Sequence, residues 1–162
     1  MVSTELSTTK VTAARVNLAE AQLADRVTIL HGDTMTTLND VPGPIDLVLL
    51  DGWKDLCLPV LCSLESRLAI GALIVADDIN LPSLSDYLEY VRYPANGYVS
   101  IAFLVEDGME ISCWTGDGRS AEKVRHQHRD WKCDFHSCSL WISALVLVCA
   151  LLINSVQQGV WR

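Results

Sequence analysis

Three aspartates and one lysine have the types and the spacing to do chemistry together. The stretch "LVLLDGWKD", residues 47–55, runs four apolar residues into Asp51, Trp53, Lys54 and Asp55, and 26 residues after Asp51 the run "ALIVADD" ends in Asp77 and Asp78. Carboxylates delivered side by side by two strand ends make a hard-oxygen site suited to Mg²⁺, Mn²⁺ or Ca²⁺. An aspartate after a strand also caps the next helix or makes a turn, so spacing alone leaves both readings open. Lys54 is a group that neither cap nor turn requires. Near a divalent cation in a low-dielectric pocket its pKa falls and it becomes a base; its plainer reading is a solvated lysine paired with Asp55.

The elements that must position these residues alternate. Residues 9–24 carry Val11, Ala14, Leu18 and Ala21 at helix spacing, with Ser7 or Thr8 as a cap. A strand at 26–30, the loop "HGDT", a short helical stretch and the break "VPGP" follow, and then 45–51 reads as a strand apolar on both faces, as in a parallel sheet covered by helices. A helix over 57–71, closed by Gly71, leads to a strand at 72–78, and a helix over 83–93 leads to two runs, 97–105 and 109–115, around an Asp-Gly turn. This is an α/β chain with an open doubly wound sheet ending in an antiparallel hairpin, whose ligands bind beyond the carboxyl ends of the strands.

Composition narrows the partners. The chain has 162 residues, half of them apolar, and a formal charge of -8, which excludes a phosphate-backbone partner such as nucleic acid and favours a small molecule. Six cysteines lack C-x-x-C spacing and Met1 opens onto polar residues, which reads as a reducing, cytoplasmic compartment.

The chain changes character near Gly116. Residues 117–136 are basic, and 137–156, "SCSLWISALVLVCALLINSV", carry no formal charge over roughly the ~20 residues that span a bilayer. Lys123, Arg125, Arg129 and Lys132 precede that run and favour a cytoplasmic N-terminal side for a membrane anchor; an amphipathic or buried helix, or sequence without an evolved role, is the other reading. His126, His128, Cys133, His136 and Cys138 fit no standard zinc spacing and read as part of a basic linker.

These residues carry a resemblance. "STELSTTKVTAARVNLAEAQLADRVTILHGD", "DLVLLDGWKDLCLPVL", "GALIVADDINLPSL" and "YVSIAFLVEDGMEISC" resemble the S-adenosylmethionine-dependent O-methyltransferases of the catechol and caffeoyl-CoA type, over residues 2 to about 116. The resemblance implies a Rossmann-like class I methyltransferase sheet, with residues 1–116 a partial domain; beyond it, without a counterpart in the family, 117–136 reads as a basic linker, 137–156 as an apolar helix and 157–162 as a tail. It implies that Glu5 accepts from the ribose hydroxyls of S-adenosylmethionine and that Asp33 contacts the adenine amine. Asp51 is implied on the cofactor side and, with Asp77 and Asp78, as a ligand of a divalent cation, Mg²⁺ by preference. Lys54 matches the general base and Trp53 an aromatic wall of the acceptor pocket.

The departures are specific. The third ligand is usually Asn in the family and is Asp78 here, no Gly-x-Gly loop precedes Glu5, and a central strand of the sheet is expected to be missing. The function implied is methyl transfer to a hydroxyl of a small catechol-like acceptor, with a homodimer as one assembly. The competing expectations are an inactive remnant serving as a membrane-tethered interaction module and a nicotinamide-binding protein.

Overall fold

The computed structural model describes residues 1–116; the linker at 117–136 with its histidines and cysteines, the apolar run at 137–156 and the tail at 157–162 lie outside the described residues. Among the described residues no helix is long and apolar enough to cross a membrane. The elements are β1 (Val2–Glu5), α1 (Thr8–Glu20), β2 (Thr28–His31), α2 (Thr34–Thr37), β3 (Ile45–Leu50), α3 (Cys57–Leu64), β4 (Leu68–Asp77), α4 (Ser85–Arg92), β5 (Tyr98–Phe103) and β6 (Met109–Trp114). The alternation expected from the apolar runs is therefore present throughout.

The strands form two ladders. β1 pairs with β2 in parallel, and a four-stranded sheet has the order β3-β4-β6-β5, with β3 and β4 parallel and β6 antiparallel to both its neighbours. The single mostly parallel sheet expected from the resemblance is thus divided, because β1 and β3 are not hydrogen-bonded to each other. The expected terminal hairpin is present, with β6 inserted beside β4.

One core holds the four-stranded sheet. α3 buries Cys57, Val60, Leu61 and Leu64, and the α4 region buries Leu84, Tyr87 and Val91, all against Val48, Leu50, Ile74, Ala76 and Tyr98. Leu61, Ile74, Leu84 and Val91 have no exposed surface, and each contributes about 1.5–3 kcal/mol of burial energy. The spacing 57, 60, 61, 64 is the helical stripe that faces such a sheet.

Two boundaries differ from the reading of the sequence. α1 ends at Glu20 instead of continuing to residue 24, closing through a left-handed Gln22 and a bond from Leu23 N to Leu18 O of 2.8 Å. α3 stops at Leu64, and Gly71 lies inside β4 at φ +90°, where one residue of β3 opposes four of β4 between the pairs Ile45–Leu68 and Leu47–Leu73. The glycine read as a helix stop is an irregularity in a strand, which needs a residue free to adopt positive φ. Arg67 secures this junction: its guanidinium donates to Leu38 O and Val41 O at 2.6 Å each and to Ser63 O at 2.9 Å, tying the entry of β4 to the turn before β3.

Gly97 opens β5 at φ +81°, and a Cβ there would run into the Gly116 carbonyl oxygen. Gly97→Ala is expected to destabilise the domain by more than the roughly 1–2 kcal/mol of left-handed backbone alone. Thermal unfolding followed by circular dichroism measures this, and an unchanged Tm would refute it.

A carboxylate also sits beneath the aromatic edge of the core. Glu65 Oε1 accepts from Tyr90 OH and Tyr98 OH, both at 2.8 Å, and Tyr98 stacks at a tilt on Trp114 with centroids 4.8 Å apart. Burial, then the hydrogen bond and charge of Glu65, push both phenols above their ordinary value of 10.0. The fold therefore holds these protons more tightly than the unfolded chain. Their contribution to stability is complete below about pH 10 and is lost as pH rises beyond it. In an alkaline titration the phenolate absorbance of Tyr90 and Tyr98 is expected to rise together with loss of the dichroism signal; phenolates appearing in an intact fold would contradict it.

Candidate functional site

The parallel register of β3 and β4 pairs Leu50 with Ala76, so Asp51 and Asp77 leave the sheet side by side. One carboxylate oxygen from each of Asp51, Asp77 and Asp78 lies within 4.8 Å of the others. Asp78 has φ +58°, a left-handed conformation that Asp and Asn accept more readily than other side chains. That backbone requirement accounts for Asp or Asn at this position whichever of the two binds better.

Lys54 turns back into this group. It opens a 3-10 turn, Lys54–Leu56, and its Nζ lies 2.9 Å from Asp78 Oδ2 and 3.4 Å from Asp51 Oδ1. Its side chain is only 13% exposed, against 50% for Asp51 and 35% for Asp78. The plainer expectation of a pair with Asp55 is corrected: both ion pairs lie across the site. Burial pulls the ammonium downward, but the hydrogen bond to Asp78 and the charges of Asp51 and Asp78 outweigh it, and Lys54 is held above its ordinary value. For Asp51 burial dominates and raises the carboxyl, with Lys54 opposing and Asp77 and Asp78 adding to the rise.

A cavity of about 310 Å³ adjoins this group, lined by Lys54, Leu58, Pro59, Ser83, Asp86 and Tyr87 among others. Trp53 is not among the lining residues and is 80% exposed, so the structure does not bring it to this cavity. The loop that follows Asp78 is held by the β5–β6 turn, which lies at the same end of the sheet beside it. Ile79 N donates to Gly108 O at 3.2 Å and Asn80 N to Asp107 O at 3.1 Å, so the β5–β6 turn braces the acid pair.

Glu5 and Asp33 form a second group. Glu5 ends β1 opposite His31 of β2, and its Oε1 accepts from Ser7 N at 2.7 Å, leaving the other oxygen outside that bond. Asp33 Oδ2 accepts from Thr36 N and Thr36 Oγ1, both at 3.0 Å, and so caps α2. The cap is a structural task that the loop reading of "HGDT" did not assign. Among the described residues no hydrogen bond or ion pair joins Glu5 or Asp33 to the Asp51 group.

Several positioning residues were not foreseen: Arg67 at the β4 entry, the Asp107–Gly108 brace, and Arg92, whose guanidinium donates two bonds, at 2.9 and 2.7 Å, to the buried Glu110. Only the Asp-Gly turn left a local signal, and that signal spoke for a hairpin and not for a brace.

The fold agrees with known proteins. Residues 2–79 match a family model described as a methyltransferase domain. The chain is 32% identical to catechol O-methyltransferase B of Danio rerio, over 72% of this chain and 49% of that protein. It is 33% identical to catechol O-methyltransferase of Mus musculus, over 64% of this chain and 44% of that protein. The chain spans about half the length of these curated relatives. Among solved structures, an O-methyltransferase from Bacillus cereus in complex with SAH aligns at a TM-score of 0.62 and 18% identity, covering 70% of this chain and 61% of that one. The O-methyltransferase TomG from Streptomyces achromogenes, in complex with SAM, aligns at 0.60 and 22%, covering 71% and 61%; at these identities the likeness is one of fold.

Residues 2–79 are thus similar to a methyltransferase domain, in an α/β fold with acids at its strand ends. Beyond that domain, the chain is similar to catechol O-methyltransferases over about half of their length.

Proposed function

We propose that this chain transfers a methyl group from S-adenosylmethionine to a hydroxyl of a small catechol-like acceptor, with a divalent cation, Mg²⁺ by preference, held by Asp51, Asp77 and Asp78. The observation that carries this reading is the convergence of three carboxylates within 4.8 Å of one another, two of them, Asp51 and Asp78, paired with the Lys54 ammonium. A hard-oxygen donor set that already accommodates one cation fits Mg²⁺. When bound, such an ion lowers the pKa of the acceptor hydroxyl and fixes its direction.

The roles of the side chains follow from their places. Lys54, reaching between the acids and the cavity, takes the proton from the acceptor hydroxyl. Glu5 accepts from the cofactor ribose through the oxygen that Ser7 leaves free, and Asp33 turns its second oxygen to the adenine amine. Trp53 contributes to an acceptor wall only on its exposed side. Methyl transfer from a sulfonium is an in-line displacement, so holding the acceptor oxygen in line supplies much of the rate.

Calorimetric titration of the chain with S-adenosylmethionine, with and without Mg²⁺, followed by transfer of labelled methyl to catechol, tests the reading. No heat at millimolar cofactor and no labelled product would overturn it. The inactive-module reading has no observation in its favour among the described residues.

A further inference from the structure

We propose that Lys54 is the resident counter-ion of the Asp51, Asp77 and Asp78 group, and that a divalent cation loads only by displacing its ammonium from Asp78 toward the adjoining cavity. This rests on the metal reading above and adds a function that a general base alone does not need.

The geometry carries it. Nζ sits at hydrogen-bond distance from Asp78, at 2.9 Å, and 3.4 Å from Asp51, so one ammonium spans two of the three carboxylates offered to the metal. With the three ligand oxygens within 4.8 Å of one another, the space between them is the size of a single small cation. A hard divalent ion binds its oxygens at about 2.0–2.1 Å, closer than the ammonium does, and like charges that near repel strongly. Asp78 therefore serves one cation or the other.

The enclosure favours exchange over coexistence. The Lys54 side chain is nearly buried while Asp51 and Asp78 are half to one-third exposed, so the ammonium lies on the inner side and an ion arriving from solvent meets the acids first. The cavity of about 310 Å³ that Lys54 also lines is the space it can enter. Ser83 and Asp86 on its wall offer polar groups to receive a displaced ammonium. Loading and release of Lys54 toward the acceptor are then one event, and the side chain reaches the substrate only when the metal is in place.

The test is Mn²⁺ binding by the full chain without cofactor or acceptor, read from the electron paramagnetic resonance signal of free Mn²⁺, for the parent, Lys54→Met and Lys54→Arg. Lys54→Met is expected to bind roughly tenfold or more tightly than the parent, because the ion no longer has to break the Lys54 pairs with Asp78 and Asp51 in order to load. Lys54→Arg, which keeps the charge, is expected to stay near the parent. In the reductively ¹³C-methylated chain, the Lys54 resonance, assigned by its loss in Lys54→Met, is expected to shift on titration with Mg²⁺.

Equal or weaker Mn²⁺ binding by Lys54→Met, in a variant with parental dichroism, overturns the counter-ion role and leaves the metal site standing. A Lys54 resonance that stays fixed at saturating Mg²⁺ overturns displacement. No Mn²⁺ binding by any of the three chains overturns the metal reading itself, and the counter-ion role with it.

Discussion

Methyl transfer by Lys54→Met is expected to fall by about 10²–10⁴-fold at saturating cofactor, metal and acceptor, the usual range for losing a positioned general base. The side chain lies between the acids and the cavity, where a proton leaving the acceptor would be received. The loss is expected mainly in kcat, since thioether and ammonium fill similar volumes and the acceptor wall is retained. Lys54→Arg separates this role from charge. A guanidinium keeps the positive charge but does not release a proton near neutral pH, so it is expected to leave metal affinity near the parent's and turnover as low as in Lys54→Met. Steady-state kinetics of the two variants decide the point: turnover restored by arginine would make Lys54 an electrostatic residue and remove the base from the mechanism.

The second large effect is on stability. Glu110 is 1% exposed on the inner face of β6, and its carboxylate is satisfied by two bonds from Arg92 of α4. Arg92→Ala leaves an uncompensated charge in the core. Breaking a fully buried pair from one side costs about 3–5 kcal/mol; the Arg92 side chain is 48% exposed, so water entering the vacated space lowers the expected cost to about 2–3 kcal/mol. Replacing both residues, Arg92→Met with Glu110→Leu, is expected to recover much of the loss, because the cost belongs to the orphaned charge and not to the missing pair. Urea denaturation measures both. A single variant within 0.5 kcal/mol of the parent would show that Glu110 finds another partner.

The legible part of this protein lay in its runs of apolar residues. β3 and β4 could be read from "IDLVLLD" and "ALIVADD" because their apolar runs end in acids where they reach the surface, but the cover on both faces expected from those runs is corrected, since Leu47 and Leu73 are 44% and 41% exposed. The hairpin was legible from Asp107 and Gly108, whose local conformation decides the turn. The end of α3 was not, because the polar residues Ser63, Glu65, Ser66 and Arg67 between two apolar runs fit the exposed face of a continuing helix as well as a turn. Only the pairing of Leu73 with Leu47, after an irregular entry, assigns residues 68–71 to β4.

The site was legible in its residues and less so in its contacts. Asp51, Asp77 and Asp78 converge because adjacent parallel strands end at the same level. The partner of Lys54 was misread because sequence adjacency suggested Asp55, whereas the 3-10 turn at Lys54–Leu56 aims the side chain back over the strand end. Asp33 and Trp53 show the opposite limit. Each has a residue type suited to a ligand, and in the structure one caps a helix and the other faces outward. Arg92 and Glu110 are eighteen positions apart in different elements, and no local pattern announces such a pair.

The bonds from Ile79 and Asn80 to the Gly108 and Asp107 carbonyls make the acid loop a dependant of the last two strands. Gly108, at φ +81°, lets that turn lie against Ile79, where any Cβ would come within 2.7 Å of its side chain. On the proposed metal reading, cation affinity is expected to report hairpin closure, falling when the final strands fray and before the core melts.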